Sequence, residues 1–411
     1  MTESFAPPEP TSRDTRAPLR LNKGAERRLR AGHVWVYSNE VDVSATPLVG
    51  LVPGQAVDIL SHQGKWLGSG YVNPHSLICA RLVSRDAEHP LDRSLLVHRL
   101  KIALGLRQRL FAEPYYRLVF GESDGLPGLV VDRYADVLVA QLTTAGMEAR
   151  REDVVAALDK VLKPEVILLR NDSEVREREG LGRYVEVVKG TPPAQLTLTE
   201  NGARFQISPV QGQKTGWFYD QRDNRARLAR YVKDARVLDL FSYVGAWGVE
   251  AALHGACEVL CVDASAAAVE AVTANAELNG LAGRVTGLRA DAFDALKGLR
   301  AERERFDVVI LDPPAFIKRR KDRDQGLLAY RRLSQAALQV LSSDGMLISC
   351  SCSFHLGRDD LMQLMQQSAR HTDRSMQILE QGGQAPDHPI HPAIPETAYL
   401  KANYARVLPS F

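Results

Sequence analysis

Cysteine is scarce: there are five in 411 residues, and no two stand at C-x-x-C spacing. An odd, low number excludes a disulfide framework as the source of stability and fits a reducing cytoplasm. The ten histidines form no group with metal-ligand spacing, so no metal is expected. Net charge is almost nil, 52 basic against 50 acidic residues. Any affinity for a polyanion therefore has to come from local patches, not from a global field. No apolar run is long enough to span a membrane. Residues 1–18 are polar and rich in proline, lack the apolar core of a signal peptide, and read as a disordered tail. There is no internal repeat and no GxxxxGK[ST] phosphate cradle.

What is present changes character along the chain. From Leu19 to about Arg85, short strand-like runs (35–37, 56–60, 66–72, 78–83) are broken by Gly, Pro and Asn. That spacing predicts a small β-barrel over 19–88, preceded by a short basic helix around Lys23, Arg27 and Arg28. Residues 89–209 mix helices and strands and include a strand, an Asp124-Gly125 turn and a second strand, a hairpin signal. They are expected to form a middle α+β domain. From Val237 onward strands alternate with helices: 237–241, 258–263, 285–291, 306–312 and 346–352. This predicts an α/β fold, with a C-terminal Rossmann-like domain over 210–411 built on a mostly parallel sheet.

Four of these five strands end in an acid or a cysteine. In open α/β sheets ligands bind beyond the carboxyl ends of the strands, so these are candidate site residues. The first strand runs into Asp239-Leu-Phe241-Ser242-Tyr243-Val-Gly245-Ala-Trp-Gly248. Glycines in a strand-to-helix turn let backbone approach a ligand, although alone they also fit a tight turn. The second strand ends in Asp263-Ala264, where an acid can accept both ribose hydroxyls of a nucleoside. The third ends in Asp291-Ala292-Phe293, placed to bond an adenine amine while Phe293 packs on the ring. Three such features in order, without a phosphate cradle, point to S-adenosylmethionine rather than to a dinucleotide. Upstream, Gln213-Lys214-Thr215-Gly-Trp-Phe218-Tyr-Asp220-Gln221 reads either as a turn and helix cap or as a lid with Lys214, Thr215, Phe218 and Gln221 on the cofactor. The lid is the preferred reading.

The fourth strand ends in Asp312-Pro313-Pro314-Ala315-Phe316, a rigid segment suited to hold a base beside a donor methyl. The fifth ends in Ser351-Cys352-Ser353. A strand-end cysteine is most often a small hydrophobe. Here it lies one strand from Asp312, where a thiolate could add to cytosine carbon 6 so that carbon 5 becomes nucleophilic. Asp312 would stabilise that adduct, and Cys350, deeper on the same strand, reads as packing. The run Lys318-Arg319-Arg320-Lys321 follows directly. It is either a solvated face or a phosphate-contacting strip beside the base pocket. Single-stranded or looped RNA is the expected form, because the base must leave its stack.

The motifs GLPGLVVDRY, QKTGWFYDQRDNR, DLFSYVGAWG, DPPAF, SCS and DHPIHPAIPETAYLK together resemble the bacterial 23S ribosomal RNA cytosine-C5 methyltransferase family, over nearly everything from Leu19 to the end. The resemblance implies a PUA RNA-binding domain over 19–88 and a class I S-adenosylmethionine-dependent domain over 210–411. It also implies Cys352 as nucleophile, ribosomal RNA as partner, and compatibility with a homodimer. No metal and no membrane are expected, on the spacing and hydropathy given above. DPPAF has no cysteine, unlike many RNA cytosine methyltransferases, which leaves the base that removes the carbon-5 proton unassigned. A related guanine-N7 domain shares the DPP motif and the lid but not the SCS cysteine. Methylation at a base nitrogen therefore stands as the alternative, with a non-catalytic RNA-binding assembly factor as a third reading.

Overall fold

The computed structural model describes residues 16–210, 212 and 215–410. The chain divides into two compact units. Among the described residues, the first holds those up to 106, 118–131 and 140–190; the second holds those of 107–117, 132–139 and from 191 onward.

In the first unit, β1 (Ala17–Arg20), β2 (Trp35–Tyr37), β3 (Ala56–Leu60), β4 (Trp66–Val72) and β5 (Ile78–Ser84) form a five-stranded sheet of order β1-β3-β4-β5-β2, with β1 parallel to β3. Alternation decides which side chains go inward: Leu19, Val36, Val57, Ile59 and Val72 form the core with Leu29 of α1 (Glu26–Arg30). The four strands expected over 35–83 are present, with β1 added ahead of them. Gly146 shows a close approach: a Cβ there would lie 2.1 Å from the Tyr71 ring. The Tyr71 hydroxyl donates to Pro127 O at 2.8 Å.

Next in the chain come α2 (Arg93–Leu110), β6 (Tyr115–Phe120), β7 (Leu129–Tyr134), β8 (Val137–Leu142), α3 (Ala145–Glu148), α4 (Arg151–Leu162), β9 (Val166–Asn171) and β10 (Tyr184–Lys189). The sheet order is β10-β9-β8-β7-β6. β6 and β7 are neighbours, as the Asp-Gly turn predicts, and Gly125 takes the left-handed conformation at φ 70°. β11 (Leu196–Glu200) and β12 (Ala203–Ile207) make an antiparallel hairpin.

The second unit is organised by a seven-stranded sheet. Its elements are α5 (Arg222–Arg227), β13 (Arg236–Leu240), α6 (Ala246–Leu253), β14 (Glu258–Asp263), α7 (Ala266–Leu278), β15 (Val285–Arg289), α8 (Ala292–Ala301), β16 (Phe306–Leu311), α9 (Arg323–Val340), β17 (Leu341–Ser351), α10 (Arg358–His371), β18 (Arg374–Gly382) and β19 (Lys401–Pro409). The order is β15-β14-β13-β16-β17-β19-β18. The five strands read from the sequence pair in parallel, while β19 runs antiparallel to both β17 and β18. The sheet is therefore mixed. The last two strands lie beyond the regular strand-helix alternation and escape a reading based on it. Central strands such as Val308-Val309-Ile310-Leu311 are apolar throughout because both faces are covered. Leu238, Leu240, Val309 and Leu311 pack with Leu333, Leu338 and Met365 from the helices. Ser265 caps α7 by accepting from Ala268 N at 3.3 Å, a local reason that helix starts where it does.

Candidate functional site

The chain leaves β13 through a strained turn. Phe241 (φ 62°) and Tyr243 (φ 50°) are non-glycine residues in the left-handed region, followed by Gly245 at φ 80°. Such strain persists only where surroundings over-determine it, and it concentrates at functional sites. Here Ser242 N donates to Val262 O at 3.0 Å, Gly245 N to Ser242 O at 2.8 Å, and Tyr243 N to the Asp263 carboxylate at 3.0 Å. The Tyr243 hydroxyl donates to Gly216 O at 3.1 Å, and Phe218 meets the Tyr243 ring edge-on. Gly248, one turn into α6, permits close helix-strand packing: a Cβ there would lie 2.3 Å from Cys261 Sγ. Its N–H donates to Asp239 Oδ2 at 3.1 Å.

Above this turn opens a cavity of about 430 Å³. That volume lies within the range of small-molecule sites. Its walls include the β13 and β14 ends (Phe241, Ser242, Tyr243, Asp263, Ala264), the segment before α5 (Phe218, Asp220, Gln221), and the far strand ends (Asp312, Pro313, Pro314, Cys352). Residues the sequence placed on five separate motifs thus meet on one surface.

Asp312 is half-buried at the cavity wall. Its two oxygens accept from Gln221 Nε2 at 2.9 Å and Trp247 Nε1 at 3.1 Å. Burial pushes its carboxyl up to about 6, and the two donors hold it from rising further. Cys352, just past β17, is partly exposed to the cavity, whereas Cys350 is fully buried and its thiol is pushed well above the usual range by burial. That is the packing role expected for Cys350. Tyr330 of α9 supports the turn: Ser351 Oγ donates to its hydroxyl at 3.0 Å, and that hydroxyl shares a 2.9 Å hydrogen bond with Ser353 Oγ.

Other candidates are placed differently. Gln221 is buried, and its amide is engaged with Asp312 on one side and Asn224 on the other. It orients the site's acid rather than presenting a free amide. Thr215 is fully buried away from the cavity wall, with its carbonyl accepting from Tyr134 at 3.2 Å. Lys214 lies outside the described residues. Asp291 is the N-cap of α8, accepting from Phe293 N at 2.8 Å and Asp294 N at 3.4 Å. Ala292 packs in the core, Phe293 is partly exposed, and none of the three lines the cavity. Phe316 packs on Tyr330, with ring centroids 4.8 Å apart. Lys318, Arg319 and Arg320 are exposed, with Arg319 paired to Asp322 at 3.0 Å. In the first unit Lys23 and Arg27 are exposed. Arg28 instead stacks on Tyr37 and binds Glu40 at 2.6 Å and Trp35 O at 3.0 Å, so it is committed to its own sheet.

Sequence reasoning missed several lining residues: Asp220, Arg225, Trp247 and Leu400. All four stood inside quoted motifs, but nothing local marked their roles. Asp220 accepts from the Tyr399 hydroxyl at 2.5 Å, across 179 residues. Arg225 is held by buried Glu200, whose carboxylate also accepts from Trp217 Nε1 at 2.9 Å.

A family model described as a PUA-like domain matches residues 19–85, and one described as an S-adenosylmethionine-dependent methyltransferase matches residues 175–406. The chain is 38% identical over 396 residues to ribosomal RNA large subunit methyltransferase I of Vibrio cholerae, covering 94% of this chain and 98% of the relative. A methyltransferase from Streptococcus mutans shares the fold at TM-score 0.80 and 22% identity, covering 95% of this chain and 100% of that one. A methyltransferase solved with SAH does so at TM-score 0.81 and 22% identity, with the same coverage. With strand-end acids, glycine turn and cavity on the matched segment, the chain belongs to the ribosomal RNA large subunit methyltransferase I family, whose members are S-adenosylmethionine-dependent enzymes.

Proposed function

We propose that this enzyme forms 5-methylcytosine in large-subunit ribosomal RNA, with Cys352 as covalent nucleophile. The observation that carries the reading is that Cys352 and Asp312 line the same cavity as Ser242 and Asp263. The donor-side residues fit S-adenosylmethionine. Asp263 is oriented by two backbone N–H groups, Tyr243 at 3.0 Å and Ser265 at 2.9 Å, and each oxygen keeps a lone pair for a ribose hydroxyl. Ser242 Oγ is buried with no hydrogen-bond partner among the described residues, a polar group that a ligand would satisfy. Phe218, Phe241, Tyr243 and Ala264 would complete this half, and Gly245, which does not line the cavity, shapes the turn behind them at φ 80°. Bound there, the cofactor supplies an electrophilic methyl on a sulfonium.

On the acceptor side, the Cys352 thiolate adds to carbon 6 of cytosine, and the ring electrons become available at carbon 5. Asp312, poised near neutrality by burial, gives a hydrogen bond or proton to ring nitrogen 3 and so disperses the negative charge of the adduct. Carbon 5 takes the methyl and gives its proton to a water acting as base, and the electrons of that C–H bond expel Cys352 as thiolate by breaking the carbon–sulfur bond. Pro313 and Pro314 hold the backbone beside the base. RNA would approach over Lys318, Arg319 and Arg320, with Phe316 beneath and the PUA-like segment, through Lys23 and Arg27, contributing sequence-independent contacts.

The test compares wild type with Cys352→Ala on large-subunit RNA, reading the modified base by mass spectrometry. Loss of 5-methylcytosine formation with cofactor binding intact by calorimetry is expected. Undiminished turnover, or methyl found on a ring nitrogen, would reject the covalent reading.

A further inference from the structure

The antiparallel strand β19 brings a cation to the cysteine. Lys401, its first residue, pairs in register with Ser351, immediately before Cys352. The Lys401 side chain is buried, with the residue only 6% exposed. Its Nζ donates to Ser353 O at 2.6 Å and to Tyr399 O at 2.8 Å. The lysine therefore brackets Cys352, opposite the preceding residue through the backbone and bonded to the following one through the ammonium.

Two carbonyls satisfy two of the three N–H groups but bring no opposite charge, and a buried ammonium without one is costly. Burial pulls the Lys401 ammonium down to about 8, and Arg358 opposes its charge further. Among the described residues, the group that favours the charged form is Cys352.

We propose that Lys401 is the positioning residue that sets the charge state of Cys352: the thiol hydrogen passes to the lysine amine, leaving a thiolate beside an ammonium. The S–H bond breaks with its electron pair kept on sulfur, the nitrogen gains the proton, and no other reactant is needed. The role rests on the reading of Cys352 as nucleophile. The surrounding ionisable groups make such a partner necessary. Asp312 and Asp220 face the same strand end and oppose a second negative charge, as their effect on Cys350 shows. Tyr330 and Tyr399 both feel the Cys352 charge and are held neutral by burial. Of the cations there, Arg358 is directed to Gly382 O at 2.8 Å and Arg225, on the same cavity wall, is held by buried Glu200 at 2.6 Å, whereas Lys401 is bonded to the carbonyl that follows Cys352.

The experiment is alkylation of Cys352 by iodoacetamide in the full-length protein, followed against pH by peptide mass spectrometry. Exposed Cys257 serves as internal reference. In wild type the Cys352 midpoint should lie below that of Cys257. In Lys401→Met it should rise by about 1–3 pH units, with kcat reduced and cofactor affinity unchanged. Lys401→Arg, which keeps the charge, should retain a low midpoint. A wild-type midpoint at or above that of Cys257 would overturn the proposal without any variant, so a misfolded Lys401→Met does not leave it undecided. An unchanged midpoint in a folded Lys401→Met would overturn it too. Turnover in Cys352→Ala bears on the nucleophile reading alone, because the alkylation midpoint judges the lysine–cysteine pair independently of catalysis.

Discussion

Gln221 donates its side-chain amide to Asp312 at 2.9 Å, so the segment before α5 holds the acid at the end of β16. This hydrogen bond favours the carboxylate form, against burial that pushes the carboxyl up to about 6. Gln221→Leu removes the donor. The Asp312 carboxyl should then rise further, and the limb of the pH–kcat/KM profile assigned to it should move to higher pH by about one unit. Trp247→Phe, which strips the other oxygen, should move the same limb in the same direction. A shift to lower pH in either variant would contradict the assignment.

Asp239 carries a second pH-dependent consequence. It is fully buried, and Oδ1 has no hydrogen-bond partner among the described residues. Burial pushes its carboxyl up to about 8, with Asp312 and Asp263 adding to the effect and the Gly248 N–H opposing it. The unfolded chain releases this proton near the ordinary value of about 3.9. Between the two the native state holds the extra proton. The stability contribution is full below about pH 4 and is lost as pH rises toward 8. The slope is at most about 1.4 kcal/mol per pH unit. Asp239→Asn should flatten this dependence in urea denaturation between about pH 5 and 8. Parallel curves for the two proteins would rule the effect out.

Close packing under the donor half is equally open to test. A Cβ on Gly248 would lie 2.3 Å from Cys261 Sγ and 3.1 Å from Val259 Cγ1. Gly248→Ala should destabilise the protein by about 1–3 kcal/mol through overpacking. Adding Cys261→Ala removes the sulfur and should restore part of that loss in chemical denaturation, so the two substitutions should couple. Strict additivity would show that the clash is relieved elsewhere.

The basic run after DPPAF makes a graded prediction. Lys318 and Arg320 are exposed, while Arg319 already pairs with Asp322 at 3.0 Å. Lys318→Ala and Arg320→Ala should each lower the salt slope of binding to single-stranded RNA by about 0.7. Arg319→Ala should lower it less, because that side chain is partly neutralised. Binding titrations at several salt concentrations give the slopes, and unchanged slopes in all three would place the RNA path elsewhere.

Much of this architecture was legible because it is locally encoded. Strand runs such as 306–311 and the alternation of strand and helix reflect burial on both faces, which acts residue by residue. An acid at the end of β14 or β16 needed only strand-end position to be singled out, and both line the cavity. Asp291 is the instructive contrast. It shares the same strand-end position, but its carboxylate accepts from the first amides of α8, the capping role that the same residue type fills at any helix start. Arg28 likewise stands in a basic run, but Glu40, twelve residues on, holds it at 2.6 Å.

By itself, the sequence determined the parallel strands, the strained turn's glycines, the donor-side acid and the cysteine at a strand end, since each depends on neighbours within a few residues. Only the tertiary structure decided what those groups face. β18 and β19 complete the sheet as antiparallel strands, and β19 carries Lys401 to the carbonyl of Ser353, 48 residues back in the chain. Tyr399 reaches Asp220 over 179 residues. Pairings at that separation are selected by the collective burial of the sheet, not by any periodicity, so the charge beside the cysteine became visible only once the strands were in place.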